Sequence, residues 1–232
     1  MDSSATAYTT FFLRVYDFLV LFVANTFAWR CPTRSTLLPF YKQHIGDHAH
    51  LDIGIGTGYY PAASAAELAK LKLLTLVDLN PNTLAHARAR LGTGPVVETV
   101  EQSVFEPFPE GMHGRYDSVA LFHLFHCLPG AFPGKATAVF ANVTPVLAPG
   151  GVVYGSTVLG KGVGHNWFGR RLIAFNNGKG VFSNLGDSEG ALREGLGDVF
   201  EEYDVRVVGR VALFWGHRPK TMVATTLVSS NV

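Results

Sequence analysis

The sequence predicts an α/β protein, a three-layer sandwich in which helices cover both faces of a mostly parallel seven-stranded sheet with an antiparallel last strand. Three observations predict it. Apolar runs of strand length alternate with stretches of helical period, as in a βαβ series. The first such run closes on a glycine-rich turn, Leu51-Asp52-Ile53-Gly54-Ile55-Gly56-Thr57-Gly58. The length, 232 residues, fits one large domain, and a chain of that size buries about 70% of its unfolded surface without staples.

The elements follow in order. The first strand spans His50 to Ile55, and Pro61 to Lys72 continues with an Ala-rich helical pattern. The second strand, Leu73 to Leu79, ends at Asn80-Pro81-Asn82, where Asn80 can cap a helix that has Pro81 at its first position. That helix carries Leu84, Ala87 and Leu91 on one face and is broken by Gly92-Thr93-Gly94-Pro95. The third strand is Val96 to Glu101 and the fourth Asp117 to Phe122, reached through the turn-rich stretch Pro107 to Gly114. A helix from Gly134 to Leu147 stops at Pro149-Gly150-Gly151, and the fifth strand is Val152 to Val158. Gly160 to Asn184, rich in Gly, Asn and aromatics, reads as a loop-plus-helix insertion. Ser188 to Phe200 is a final helix, and Tyr203 to Val208 and Val211 to Trp215 form a strand pair turning at Gly209. The organisation expected is an N-terminal helical lid segment (1–48), a ligand-binding domain (49–219) and a loosely held tail (220–232).

Composition narrows the partners. Charged residues are 16% of the chain, against roughly 25% in an average soluble domain, while apolar residues reach 47% and aromatics 12%. Some of that apolar surface belongs to the core, and some is available for a pocket or a subunit contact, so a monomer or a homodimer is expected. A net charge of +1 offers no basic excess for nucleic acid. Cys31 and Cys127 follow no metal or disulfide spacing, so no metal is expected, and reduced thiols suit a cytoplasmic protein. Phe18 to Trp29 is uncharged, but it is shorter than the ~20 residues a membrane span needs. The opening Met1-Asp2 lacks the positive cluster of a secretory signal. A buried or lid-forming helix is the expectation there.

The glycine turn carries the chemistry. Gly54, Gly56 and Gly58 alternate behind an apolar strand, so backbone can approach a bound nucleotide with no Cβ in the way. Asp78 ends the second strand 20 residues after Gly58, where a carboxylate accepts from ribose hydroxyls. An adenosine-containing cofactor at the carboxyl edge of the sheet is therefore expected. A dinucleotide fingerprint wants a third glycine where Tyr59 stands, and no Gly-Lys-Ser/Thr ending marks a P-loop.

The chain resembles the class I, Rossmann-like S-adenosylmethionine-dependent methyltransferases. Leu51 to Gly58 looks like their first motif and Leu76-Val77-Asp78-Leu79-Asn80-Pro81 like their second. Glu106-Pro107-Phe108-Pro109 with Tyr116-Asp117-Ser118-Val119 is similar to the approach to the fourth strand, and Leu147-Ala148-Pro149-Gly150-Gly151 to the turn before the fifth. Trp29-Arg30-Cys31-Pro32-Thr33 and His126-Cys127-Leu128-Pro129-Gly130 resemble a narrower group of small microbial and fungal enzymes of secondary metabolism.

The resemblance implies S-adenosylmethionine as cofactor. Backbone at Gly54, Gly56 and Gly58 would meet its methionine and ribose, Asp52 would orient the loop or the amino group, and Asp78 would hold the ribose with Leu79 against adenine. Many relatives place an acid after the third strand for the adenine amino group; that slot falls at Gln102-Ser103 here, so Ser103 or a backbone carbonyl would substitute. His123 would face the reactive end. Arg30 can pair with the cofactor carboxylate or simply face solvent.

Methyl transfer needs alignment, and a hydroxyl acceptor also needs to lose a proton, for which His123, His126 and His165 are the candidate bases. His126 also reads as a satisfied buried histidine. Tyr16, Trp29 and Phe125 can wall a flat substrate or pack as core. The expected activity is methyl transfer to an N or O atom of a small lipophilic or aromatic metabolite. Two alternatives stand beside it: a cyclisation or isomerisation that uses the bound cofactor electrostatically, and a non-catalytic subunit on the same fold.

Overall fold

The protein, as a computed structural model, is described over residues 18–92 and 94–220. Its strands are β1 (Ala49–Ile53), β2 (Leu73–Asp78), β3 (Val96–Glu101), β4 (Tyr116–Phe122), β5 (Leu147–Val158), β6 (Phe200–Val208) and β7 (Val211–Pro219). They form one sheet in the order β3-β2-β1-β4-β5-β7-β6. The first five pair in parallel, and β7 runs antiparallel to both β5 and β6. The strand order reverses beside β1, and the crevice outside the carboxyl ends of β1 and β4 is where open α/β sheets take their ligands.

Side-chain alternation on the strands makes two cores. Leu51, Ile53, Val119, Leu121 and Phe214 point to one face, where they meet Phe140 of α6 (Gly134–Val143) and Leu192 and Leu196 of α8 (Glu189–Val199). Leu76, Ala120, Phe122, Tyr154 and Leu213 point to the other. That face is covered by a π-helical α1 (Phe18–Ala28) and by a π turn, Thr33–Leu37, running into α2 (Leu38–Gln43). It is also covered by the short α3 (Tyr59–Ala62) and α4 (Ala65–Leu68), by α5 (Pro81–Arg90) and by Ile173 of α7 (Trp167–Gly178). Both cores follow from the period-2 pattern of buried parallel strands.

Caps match the sequence. The Asn80 side chain accepts from the Asn82 amide at 3.0 Å, and Ser188 caps α8 from the Ala191 amide at 3.3 Å. Several boundaries differ. The Ala-rich Pro61–Lys72 stretch is two four-residue helices, because the chain leaves helical geometry at Ser64 (φ −116°). β1 ends at Ile53, since Gly54 turns to φ +71°. The helix expected to reach Leu147 ends at Val143; Pro145 has no N–H to continue it. Pro149-Gly150-Gly151 is not a helix stop but a bulge inside β5, where the register jumps from Tyr116↔Leu147 to Ser118↔Val152. β6 and β7 are longer than expected, since the charged run Glu201-Glu202-Tyr203-Asp204 suits a solvent-facing edge. The expected tail lies outside the described residues beyond Lys220, whose amide donates to Val199 O at 2.8 Å.

Candidate active site

The turn after β1 is a series of left-handed glycines: Gly54 (φ +71°), Gly56 (φ +53°) and Gly58 (φ +70°). Each has a different neighbour. A Cβ on Gly54 would strike Leu124 Cδ1 at 2.7 Å, one on Gly58 would strike Ala87 Cβ of α5 at 2.9 Å, and one on Gly56 would meet nothing within 4 Å. The outer two glycines are packing sites, and the middle one lines open space. Arg90, at the end of α5, fastens the turn by donating to Thr57 O at 3.1 Å.

Behind the turn lies a buried polar chain. Asp52 is 3% exposed, and its Oδ2 accepts from the Tyr41 hydroxyl at 2.7 Å. Tyr41 Oη lies 3.2 Å from His50 Nε2, His50 Nδ1 lies 2.8 Å from Ser118 Oγ, and Ser118 Oγ accepts from the Gly46 amide at 2.8 Å. Burial is the main force on Asp52 and lifts its carboxyl to about 7; the Tyr41 hydrogen bond opposes this and the charge of Asp78 adds to it. Burial pushes His50 down to about 3, against a hydrogen bond with the Ser118 backbone. Tyr41, His50 and Ser118 were not anticipated from the sequence. The signal available was a His and an Asp two apart on a strand with no exposed residue.

Asp78 is half-buried at the end of β2, where its Oδ1 accepts from the Asn80 amide at 3.0 Å. Leu79 beside it is 67% exposed. The half-buried Ser103 accepts at Oγ from the Phe105 amide at 3.2 Å, while the Gln102 side-chain Nε2 donates to Glu106 O and Pro107 O.

At the end of β4, His123 adopts φ +53°, a conformation uncommon for a non-glycine residue. Its amide donates to Ser156 O at 2.8 Å, and Leu124, next in the chain, packs on Gly54. Asn25 Nδ2 of α1 lies 3.4 Å from His123 Nε2 and also donates to Thr33 Oγ1 at 2.9 Å. Asn25 is a polar residue in an uncharged run, which is the signal that could have found it. Burial pushes His123 down to about 4. His126 is buried, 5.5 Å between ring centroids from His123, with its Nδ1 3.4 Å from the Val158 amide and its ring 4.4 Å from that of Phe182. Burial first, then the neighbouring His123 and Lys135, depress it well below the usual histidine range. His165 sits in the insertion with Nε2 2.9 Å from Leu159 O, and its Nδ1 has no hydrogen-bond partner among the described residues.

The remaining expectations divide. Trp29 is buried and meets His165 edge-on at 6.0 Å and Phe182 at 6.4 Å. Phe125 is fully buried and packs on Phe132, Phe140 and Phe214, so it is a core residue rather than a pocket wall: the turn Phe125–Cys127 rotates it to the α6 face of the sheet. Arg30 is exposed with φ +51°. Tyr16 lies outside the described residues. The insertion is anchored by a buried ion pair, Lys135 Nζ to Asp187 Oδ2 at 2.7 Å, and Lys135 also donates to Ser183 O at 2.7 Å.

Residues 51–153 match the family model described as a methyltransferase domain. A protein of Penicillium polonicum named methyltransferase verB is 41% identical over 94% of this chain and 100% of its own. The chain belongs to the methyltransferase family. An Aspergillus chevalieri protein named physcion biosynthesis cluster O-methyltransferase is 42% identical to this methyltransferase over 92% of the chain and 94% of its own. Among solved structures, the Bradyrhizobium japonicum N-methyltransferase NodS in complex with S-adenosyl-l-homocysteine shares the fold at TM-score 0.56 and 15% identity, over 79% of this chain and 84% of its own. A Thermotoga maritima methyltransferase does so at TM-score 0.60 and 17% identity, over 89% and 98%.

S-adenosylmethionine is the cofactor this membership implies, and the residues fit it. Open space stands over Gly56, buried Asp52 supplies a carboxyl group behind the turn, and Asp78 keeps one carboxylate oxygen beyond its contact with Asn80.

Proposed function

We propose that this methyltransferase transfers a methyl group from S-adenosylmethionine to a hydroxyl oxygen of a small lipophilic or aromatic metabolite, with His123 as proton acceptor. The observation that carries the reading is His123 itself: a left-handed, non-glycine residue at the carboxyl end of β4, next to the leucine that packs on Gly54. Backbone strain of this kind costs about 1–3 kcal/mol and persists where the surroundings impose it. The names of relatives, O-methyltransferases among them, support an oxygen acceptor.

When bound, the cofactor supplies a methyl group already activated on a sulfonium, so the chain mainly aligns the acceptor, an effect worth about 7–11 kcal/mol of barrier. Asp52 and the Gly54–Gly58 backbone hold the methionine end, Asp78 the ribose, and Leu79 and Ser103 the adenine. His123, kept neutral by burial, has its Nε2 lone pair turned to Asn25. The acceptor hydroxyl would replace that long contact and give its proton to Nε2, while the methyl it receives would come from the sulfonium, whose S–CH3 bond breaks to leave S-adenosylhomocysteine. α1 acts as the lid through Asn25. Trp29, His126 and Phe182 form the wall from the insertion side, with His165 behind them.

His123→Gln tests the assignment. Turnover of phenolic acceptors, read as S-adenosylhomocysteine released, falls by roughly 10²–10⁴, while S-adenosylhomocysteine affinity by calorimetry stays within a few-fold. Unchanged turnover of phenolic acceptors removes His123 as the base. Absence of S-adenosylmethionine binding in the wild type overturns the whole reading.

A further inference from the structure

Helix α7 presents an unusual outward face. Trp167, Arg171 and Phe175 follow at i, i+4 and i+8 and form one exposed row. The two aromatics are 65% and 62% exposed, although the opposite side of the helix already buries Gly169 and Ile173. Arg171 lies over the Trp167 ring at 5.4 Å. Phe27 of α1, 63% exposed, extends the patch at the helix start, where Asn166 Nδ2 donates to Phe27 O at 2.6 Å. On the flank, a cleft of about 530 Å³ is bounded by Arg170, Ala174, Gly178 and Leu185.

The segments that carry this patch hold charge of one sign. From Ser118 to Gly186 the sequence contains no Asp or Glu, and neither does the stretch from Phe18 to Gly46 that forms α1 and α2. Lys161, Arg170, Arg171 and Lys179 are exposed, and among the described residues none forms an ion pair. Exposed aromatics interleaved with unpaired cations match the boundary of an anionic bilayer, where rings sit at headgroup depth and cations meet phosphates. A second copy is a poor occupant: an isologous contact would set these cations against themselves with no carboxylate to meet them.

We propose that α7 and Phe27 form a peripheral docking face for anionic phospholipid membranes. No helix among the described residues is long and apolar enough to cross a membrane, so the contact is interfacial. The face does not depend on which atom is methylated, and it would bring the enzyme to the phase in which lipophilic acceptors dissolve.

The experiment is co-sedimentation of the full chain with phosphatidylcholine vesicles, with and without phosphatidylserine, at low and high salt. Binding is expected only with phosphatidylserine and low salt, with a blue shift of tryptophan emission. Arg170→Glu/Arg171→Glu and Trp167→Ser/Phe175→Ser should each weaken it on the order of tenfold or more, while calorimetric S-adenosylhomocysteine binding shows both variants folded. Failure to bind phosphatidylserine vesicles at low salt overturns the proposal, as does binding indifferent to both variants. A dimer in ultracentrifugation that is abolished by Trp167→Ser/Phe175→Ser, without vesicle binding, assigns the face to a second copy instead.

Discussion

A carboxyl group as enclosed as Asp52 resists ionisation, and the Tyr41 hydroxyl is what holds it within reach of neutral pH. The chain behind it is continuous: the Gly46 amide donates to Ser118 Oγ, His50 bridges Ser118 Oγ and Tyr41 Oη through its two ring nitrogens, and Tyr41 donates to Asp52, around a His50 that burial keeps neutral. A cofactor amino group, being cationic, favours the ionised carboxylate. Affinity for S-adenosylhomocysteine should therefore rise with pH through about 7 and level off above. Tyr41→Phe removes the hydrogen bond that lowers the Asp52 value, a loss of about 1.5–3 kcal/mol to a charged acceptor, so the midpoint moves up by roughly one pH unit or more. Asp52→Asn should weaken binding and flatten the profile. Calorimetric titrations across pH read all three proteins, and an unmoved midpoint in Tyr41→Phe would remove Tyr41 from this role.

At the scale of the element, the glycine turn separates packing from ligand contact. Gly58→Ala combines a left-handed backbone with a collision against Ala87, so it should lose several kcal/mol of stability as well as the cofactor. Gly56→Ala brings only the backbone strain, about 1 kcal/mol, because its Cβ enters open space. That variant should melt within a few degrees of wild type in thermal unfolding and yet bind S-adenosylhomocysteine at least tenfold more weakly. Equal affinity in Gly56→Ala would move the cofactor away from this turn. The turn, Asp78 and the Asn80-Pro81 cap were legible because each is a local pattern, fixed by residues within a few positions of one another. The links Asn25–His123 and His50–Ser118 were not, since they join residues 98 and 68 positions apart. The same limit hid the bulge in β5, which exists only in register with β4, and the burial of Phe125, which is decided by the turn that carries it.

For the molecule as a whole, the shifted groups set an acid limit. Between about pH 4 and the ordinary histidine value of 6.5, the unfolded chain carries protons on His50 and His123, and the folded chain leaves both neutral; His126, pushed well below the ordinary histidine range by burial, adds in the same direction. Asp52 does the reverse, keeping a proton below about 7 when folded and losing it above 3.8 when unfolded. The groups with the largest shifts thus leave the unfolded state binding about one more proton, to which His126 adds, and positive uptake on unfolding means that stability falls as pH falls. His44 and His165, also shifted down, add to that difference, and Asp187, shifted up, subtracts from it. The slope should be on the order of 1–3 kcal/mol per pH unit, seen in calorimetry as a melting temperature that drops steadily from pH 6.5 toward 4. If Asp52 meets the cofactor amino group as proposed, bound S-adenosylhomocysteine would favour its carboxylate, the folded complex would give up its one extra proton, and the difference would grow by about one. The complexed protein should therefore melt higher at neutral pH and lose stability more steeply in acid than the free protein. Parallel slopes with and without ligand would show that Asp52 does not change its protonation when the cofactor binds.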